Sequence, residues 1–90
     1  MNNAKMTKKF FFDLMESNIE EIEKEVKEMK EMNEKRGYTH DVQYKHCTLH
    51  ARALQISMMI FEARNIDYWK YNELDKRINS IIDETYLLNL

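Results

Sequence analysis

Apolar residues between Cys47 and Ala63 recur at helical spacing, and they form two seams instead of one. In this stretch 11 of 17 residues are apolar. The first seam consists of Leu49, Ala53, Ile56, Ile60 and Ala63. The second seam follows the same alternating spacing and consists of Cys47, Ala51, Leu54, Met58 and Phe61. The two seams lie roughly 160° apart on a helix. A helix that is apolar on opposite sides needs a neighbour on each side, so this pattern predicts a central helix over 41–64.

A long first helix is predicted before it, over 7–36. Its apolar positions alternate at spacings of three and four, the period of a coiled-coil seam, and Asn33 continues their register. Between Glu20 and Arg36, 12 of 17 residues are charged, which places the other side of this helix in water. Ser17 with Glu20 could form a capping box and a later start. The seam consists of Phe12, Met15, Ile19, Ile22, Val26 and Met29.

The connections between the helices are short. Gly37, the only glycine, follows two cations, which is typical of a helix C-terminus. Thr39 or Asp41 can cap the second helix. Asn65 or Asp67 can cap a third helix over 68–88. The apolar side of that helix consists of Tyr71, Leu74, Ile78 and Ile81, backed by Ile82 and Tyr86.

These elements predict an all-α fold. We expect a single domain over 1–90 that forms a three-helix antiparallel up-down-up bundle. Ninety residues provide one modest core, near the size at which partners often add stability. The chain is therefore expected to associate into a dimer or a higher homo-oligomer.

Composition narrows the classes of partner. The net charge is −2, from 14 basic and 16 acidic residues, so neither a nucleic acid nor a membrane is expected as a partner. A single cysteine makes no internal disulfide and predicts a cytoplasmic protein. The apolar run near the N-terminus breaks at Asp13 and is too short for a signal peptide. No stretch approaches the roughly 18 apolar residues of a membrane span.

The first candidate site is a group of aromatic residues. Up-down-up order brings the start of the first helix to the start of the third, so these residues would gather at one end of the bundle. Three consecutive phenylalanines span about 200° of a helix, so one neighbour cannot cover all of them. They can close the core, mediate self-association or bind another protein. The predicted partner-binding residues are Phe10, Phe11, Phe12, Tyr68 and Trp69.

The second candidate site lies at the opposite end. His46 and His50 share a helix face at the spacing by which a helix presents two imidazoles to a metal ion, and Cys47 could add a thiolate. The alternatives are a small anion, such as a nucleotide, or a purely structural role. No metal site and no cofactor is predicted. The residues of the alternative ligand site are His46, His50, Arg52 and Tyr44.

Catalysis and DNA binding find little support. The sequence has no glycine-rich phosphate loop, no nucleophile elbow and no carboxylate pair in an apolar setting. In a helix-turn-helix the third helix would be the recognition helix that contacts DNA, and it carries four acidic residues against three basic ones. We therefore expect a non-enzymatic regulator, inhibitor or adaptor that binds protein through apolar and aromatic helix surfaces and the seam of the first helix. The alternative is an oligomer that binds a small anion or a metal ion.

Overall fold

Three α-helices make up residues 7–86, the part of the chain that the computed structural model describes. α1 spans Lys8–Arg36, α2 spans His40–Phe61 and α3 spans Tyr68–Tyr86. Every pair of these helices is in contact, and residues 7–86 contain no strand. The predicted all-α class and the packing of three helices are therefore confirmed. The last predicted positions of the third helix, 87 and 88, lie outside the described residues.

α1 begins after its N-cap residue, Thr7. The hydroxyl of Thr7 accepts a hydrogen bond from the backbone N–H of Phe10 at 3.1 Å. The alternative cap, Ser17, lies inside the helix. At the other end, the N–H of Gly37 donates to the carbonyl of Asn33 at 2.8 Å, and Gly37 adopts φ +80°. A side chain is strained at this angle, so the only glycine stands where the backbone needs one.

α2 begins with Thr39 as its N-cap and ends earlier than predicted. The pattern placed its end near Arg64, whereas the last helical residue is Phe61. The N–H groups of Ala63 and Arg64 donate to carbonyls three residues back, at 2.9 and 3.3 Å, which tightens the chain into a turn. Ala63 is still buried, so the apolar spacing continues beyond the point where the helix stops.

Asp67 caps α3 and ties it to α1. Its carboxylate accepts a hydrogen bond from the backbone N–H of Lys70 at 3.1 Å and lies 3.2 Å from the ammonium of Lys8. The hydrogen bond from the Lys70 backbone is the main reason that the pKa of the Asp67 carboxyl lies below its ordinary value, and the Lys8 ammonium lowers it further. Further along the same helices, Lys30 pairs with Glu84 at 2.7 Å.

The core is built from one seam of each helix. All six predicted seam positions of α1 are buried against α2 and α3, so this seam is enclosed within the chain and is not a free coiled-coil face. Tyr86 is predicted on the apolar side of α3 but is exposed, and its neighbour Thr85 is buried instead. Tyr71 and Ile82 pack against the core from its edge. The first seam of α2 is buried over its whole length: Leu49, Ala53, Ile56, Ile60 and Ala63.

The prediction that α2 has a neighbour on each side is wrong for this chain. All five residues of the second seam are exposed. The reason is that α1 and α3 also contact each other, through ion pairs such as Arg77 with Glu23 at 2.7 Å. The three helices therefore close a triangle in which both neighbours of α2 reach the same seam. One buried face per helix is sufficient in this arrangement.

Candidate functional site

The second seam forms an exposed apolar stripe along α2. Leu54 is 44% exposed, Met58 73% and Phe61 50%, and Cys47 and Ala51 complete the stripe toward the start of the helix. From Cys47 to Phe61 it runs for about 21 Å at 1.5 Å per residue. Singly exposed apolar residues are normal on a protein surface, whereas a stripe at alternating spacings of four and three has the geometry by which helices pack on one another.

Two depressions lie along the stripe, where α2 meets α3. One, of about 340 Å³, lies beside Cys47 and Leu54, and the other, of about 310 Å³, lies beside Met58. The first is lined by His46, Cys47, His50, Ala51, Leu54, Thr85 and Tyr86. The second is lined by Ser57, Met58, Phe61, Glu62 and Asp75.

Lys45 and Arg52 of α2 point away from the stripe and toward α1. The guanidinium of Arg52 donates to Glu25 at 2.8 Å and to Glu21 at 3.4 Å, and the ammonium of Lys45 lies 3.7 Å from Glu25. The hydrogen bond from Arg52 is the main reason that the pKa of the Glu25 carboxyl is lowered. The same pair raises the pKa of Arg52. Between Gln43 and Phe61 the stripe is therefore bordered by no unpaired Lys, Arg, Asp or Glu of α2.

The three phenylalanines near the start of α1 have different surroundings. Phe12 is part of the core. Phe11 packs against the core from its edge, with its ring perpendicular to that of Phe12 at a centroid distance of 5.5 Å. Phe10 is exposed. Only one of the three therefore offers its ring to another molecule, as expected from their spread around the helix.

The other two predicted partner-binding residues, at the start of α3, are exposed. Trp69 is 80% exposed, and Tyr68 contacts it edge to face at a centroid distance of 5.8 Å. Tyr68 also lies 6.1 Å from the ring of Tyr71, which packs against the core. The aromatic contacts of Tyr68 are thus local to α3.

His46 is a buried part of the core with both ring nitrogens occupied. Its Nε2 is hydrogen-bonded to the backbone carbonyl of Thr85, and its Nδ1 lies 2.5 Å from the hydroxyl of Tyr38. Because a carbonyl only accepts, Nε2 carries a proton and donates it to Thr85, while Nδ1 is hydrogen-bonded to the hydroxyl of Tyr38. A metal ion would have to displace one of these two bonds.

His50 contacts α3 through a hydrogen bond to Thr85 and through the ring of Tyr86, at a centroid distance of 5.8 Å. Its Nδ1 lies 2.8 Å from the hydroxyl of Thr85, which itself donates to the carbonyl of Ile81 at 2.9 Å. The hydroxyl has one proton and uses it there, so it accepts a hydrogen bond from the Nδ1–H of His50. One imidazole is insufficient for a structural metal site. Residues 7–86 contain no group of three His, Cys, Asp or Glu side chains placed to hold a metal ion.

The four residues of the alternative ligand site are divided between two grooves. His46 and His50 face α3, in the depression that Thr85 lines. Arg52 reaches the glutamates of α1, and Tyr44 lies beside Glu25 and Met32 in a separate depression of about 440 Å³. The structure therefore brings the two histidines together and separates them from the other two residues.

A direct sequence signal identifies the buried histidine. The first seam, continued toward the N-terminus at its own spacing, includes His46 and Val42, and both are buried. The seam of α3, continued the other way, includes Thr85. Two polar residues at apolar positions in neighbouring helices indicate a buried hydrogen-bonded pair.

No helix among residues 7–86 is long and apolar enough to cross a membrane. Comparison of the chain with protein-family models, with curated proteins and with solved structures finds no match. The functional argument therefore depends on the residues of this chain alone.

Proposed function

We propose that this chain is a non-enzymatic interaction protein, a regulator, inhibitor or adaptor, that binds a helix of a partner along the second seam of α2. The observation that carries the proposal is the exposure of that seam at a spacing suited to helix packing. Leu54, Met58 and Phe61 are 44%, 73% and 50% exposed, so covering each of them favours association by roughly half to three-quarters of the 1.5–3 kcal/mol of complete burial. A partner helix is the structure that matches this spacing over its whole length.

The up-down-up order of the helices is part of the proposal. It is supported by the pairs Lys8–Asp67 and Lys30–Glu84, which link the starts and then the ends of α1 and α3. The link between His46, near the start of α2, and Thr85, near the end of α3, supports an antiparallel α2. With the helices in up-down-up order, the second seam is exposed to solvent from Cys47 to Phe61.

The aromatic end provides a second contact area in the same proposal. Phe10, Tyr68 and Trp69 are its exposed members, whereas Phe12 contributes to folding. Tryptophan and tyrosine are enriched among the residues that carry most of the energy of protein interfaces. A partner large enough to extend past the turn after α2 would reach this area.

The alternative of a bound anion or metal ion has weaker support. Its four residues do not converge, and Arg52 already has two carboxylate partners. A ligand pocket needs polar groups that point into one cavity. The cytoplasmic location stays a prediction from the single cysteine.

Photo-crosslinking tests the proposed function directly. A benzophenone side chain is introduced at Leu54 or at Met58, with Lys27 on the charged side of α1 as the control position, in cells that carry the gene at its own locus. We expect a protein adduct from positions 54 and 58 and none from position 27. Adding Met58→Glu to the position-54 variant should reduce the adduct about tenfold or more, because it places a charge in an apolar interface. Equal yields at 27 and 54 would contradict the proposal.

A further inference from the structure

The residues of the second seam are ordered by size along α2. Cys47 and Ala51 are small, Leu54 stands in the middle, and Met58 and Phe61 are large. Cys47 and Phe61 each lie seven residues from Leu54, whereas Ala51 lies three residues before it and Met58 four residues after it, so the seam is close to symmetric about Leu54. When two such helices pack antiparallel, the small residues of one lie against the large residues of the other.

We propose that the partner helix is α2 of a second copy of this chain, packed antiparallel about a two-fold axis at Leu54. This inference rests on the proposed function of the stripe. The antiparallel register places Cys47 opposite Phe61 of the second copy and Ala51 within one residue, about 1.5 Å along the helix, of its Met58. The two Leu54 side chains meet at the axis. Each large residue then faces a small one, which allows the helices to approach evenly along their length.

The parallel arrangement fits less well. It would set Phe61 against Phe61 at one end and Cys47 against Cys47 at the other. Large residues would then hold the helices apart at one end, and small residues would leave voids at the opposite end. Voids and overpacking both destabilise an apolar contact. A two-fold axis across antiparallel helices also gives a closed dimer, the commonest symmetric assembly.

A depression in the surface provides a place for the largest side chain. The cavity of about 340 Å³ between α2 and α3 is bordered by Cys47 and Tyr86. In the antiparallel register, Phe61 of the second copy lies over Cys47 and can enter this depression. The two-fold axis repeats the contact, so each dimer contains it twice.

Electrostatics favour a second copy over a charged partner. The charged residues of α2 between Gln43 and Phe61 are Lys45 and Arg52, and both pair with glutamates of α1. At the other end of the stripe, Glu62 and Asp75 line the depression beside Met58, and the guanidinium of Arg64 lies 3.7 Å from the centroid of the Phe61 ring. The antiparallel arrangement sets this charged end of one copy against the Cys47 end of the other, so the two charged ends do not meet. The densely charged side of α1 is less suited to contact with a second copy, because two such sides would bring many charged groups into contact.

Disulfide trapping of the purified protein tests the register. Cys47 is the only cysteine, and in the antiparallel dimer the two copies of it lie about 21 Å apart along the helices. A disulfide requires Cα atoms within about 7 Å, so mild oxidation should leave the wild type uncrosslinked. Phe61→Cys, which keeps Cys47, should give a covalent dimer, whereas Phe61→Cys with Cys47→Ala should not. A covalent dimer of the wild type or of the double variant would overturn the antiparallel register.

A size exchange tests the same pairing without oxidation. Ala51→Met sets two methionines against each other and should weaken dimerisation at least tenfold in sedimentation analysis. Adding Met58→Ala restores one large residue opposite one small residue and should recover most of the affinity. Both positions are exposed, so neither change disturbs the core. Failure of the double variant to recover would overturn the pairing.

The outcomes separate this inference from the proposed function. Sedimentation of the wild type from about 1 µM to about 1 mM should show a monomer–dimer equilibrium. A monomer throughout would overturn the inference, while an adduct between Leu54 and a different protein in cells would still support a helix-binding function. The absence of both the dimer and any cellular adduct would contradict both proposals.

Discussion

The two seams of α2 have the same spacing and similar residues, yet one lies at the centre of the core and the other at the surface. Leu49 of the first seam is fully buried, and Leu54 of the second is 44% exposed. Both leucines lie on the same helix, little more than one turn apart. Apolar periodicity therefore shows that a helix face is suited to burial, and it does not show which neighbour covers that face.

The polar residues beside each seam account for the difference. Arg52 and His46 border the first seam or continue it, and they have partners in α1 and α3, namely Glu25 and Thr85. Thr48, near the second seam, donates instead to a carbonyl of its own helix at 2.8 Å. His50, beside Cys47 in the depression along the second seam, also bonds α3 through the Thr85 hydroxyl, so contacts between helices are more numerous at the first seam but are not confined to it.

The largest expected effect comes from the same substitution in each seam. Leu49→Ala should reduce the free energy of unfolding by about 2–5 kcal/mol, because it leaves a cavity in the core. Leu54→Ala should reduce it by less than about 1 kcal/mol and should weaken association instead. Denaturant unfolding followed by circular dichroism, at a concentration where the chain is monomeric, measures both. Equal losses would contradict the assignment of the two seams.

The second prediction concerns the polar end of the first seam. His46→Leu removes the partner of the buried Thr85 carbonyl and should reduce the free energy of unfolding by about 1–3 kcal/mol. His50→Leu is the matched control one turn away. It should have a smaller effect, because the Thr85 hydroxyl keeps its bond to Ile81. A larger loss for His50→Leu would show that the buried network is centred elsewhere.

The sequence is a good guide to the helices and their caps. The six seam positions of α1 are all buried, and Thr7, Thr39 and Gly37 stand where local chemistry requires them. These features depend on neighbours within a few residues, which the sequence displays directly.

The end of α2 could not be predicted in this way. Ala63 continues the apolar spacing, while the backbone has already turned. Apolar spacing indicates which residues are suited to burial. It does not show the backbone dihedral angles at which a helix ends.

The candidate sites depend on tertiary packing to a greater degree. Phe12 and Phe10 are neighbours in sequence with opposite surroundings, and only the positions of α2 and α3 decide which of them is core. Tertiary packing also determines that Arg52 contacts α1 while His46 contacts α3. The spacing of the second seam likewise could not show that α1 and α3 leave it exposed, because that depends on how the three helices pack.

The third prediction, the smallest in free energy, uses pH to test the border of the first seam. Arg52, through its hydrogen bond, lowers the pKa of Glu25 in the folded chain. The resulting stabilisation is complete at pH values above the unfolded pKa of about 4.3 and is lost as the pH falls through the lower folded value. Its size should be about 0.2–1 kcal/mol, because the pair is partly exposed to solvent.

Glu25→Gln should therefore flatten the acid limb of the stability–pH curve, and Arg52→Met should do the same because it removes the cause of the lowered pKa. Glu28→Gln, an exposed position on the same helix, is the matched control and should leave that limb unchanged. Urea unfolding at a series of pH values below 6 measures all three variants, and the difference should shrink in high salt. If Glu28→Gln flattened the limb as much as Glu25→Gln, the pH dependence would come from net charge instead of from the pair that joins α2 to α1.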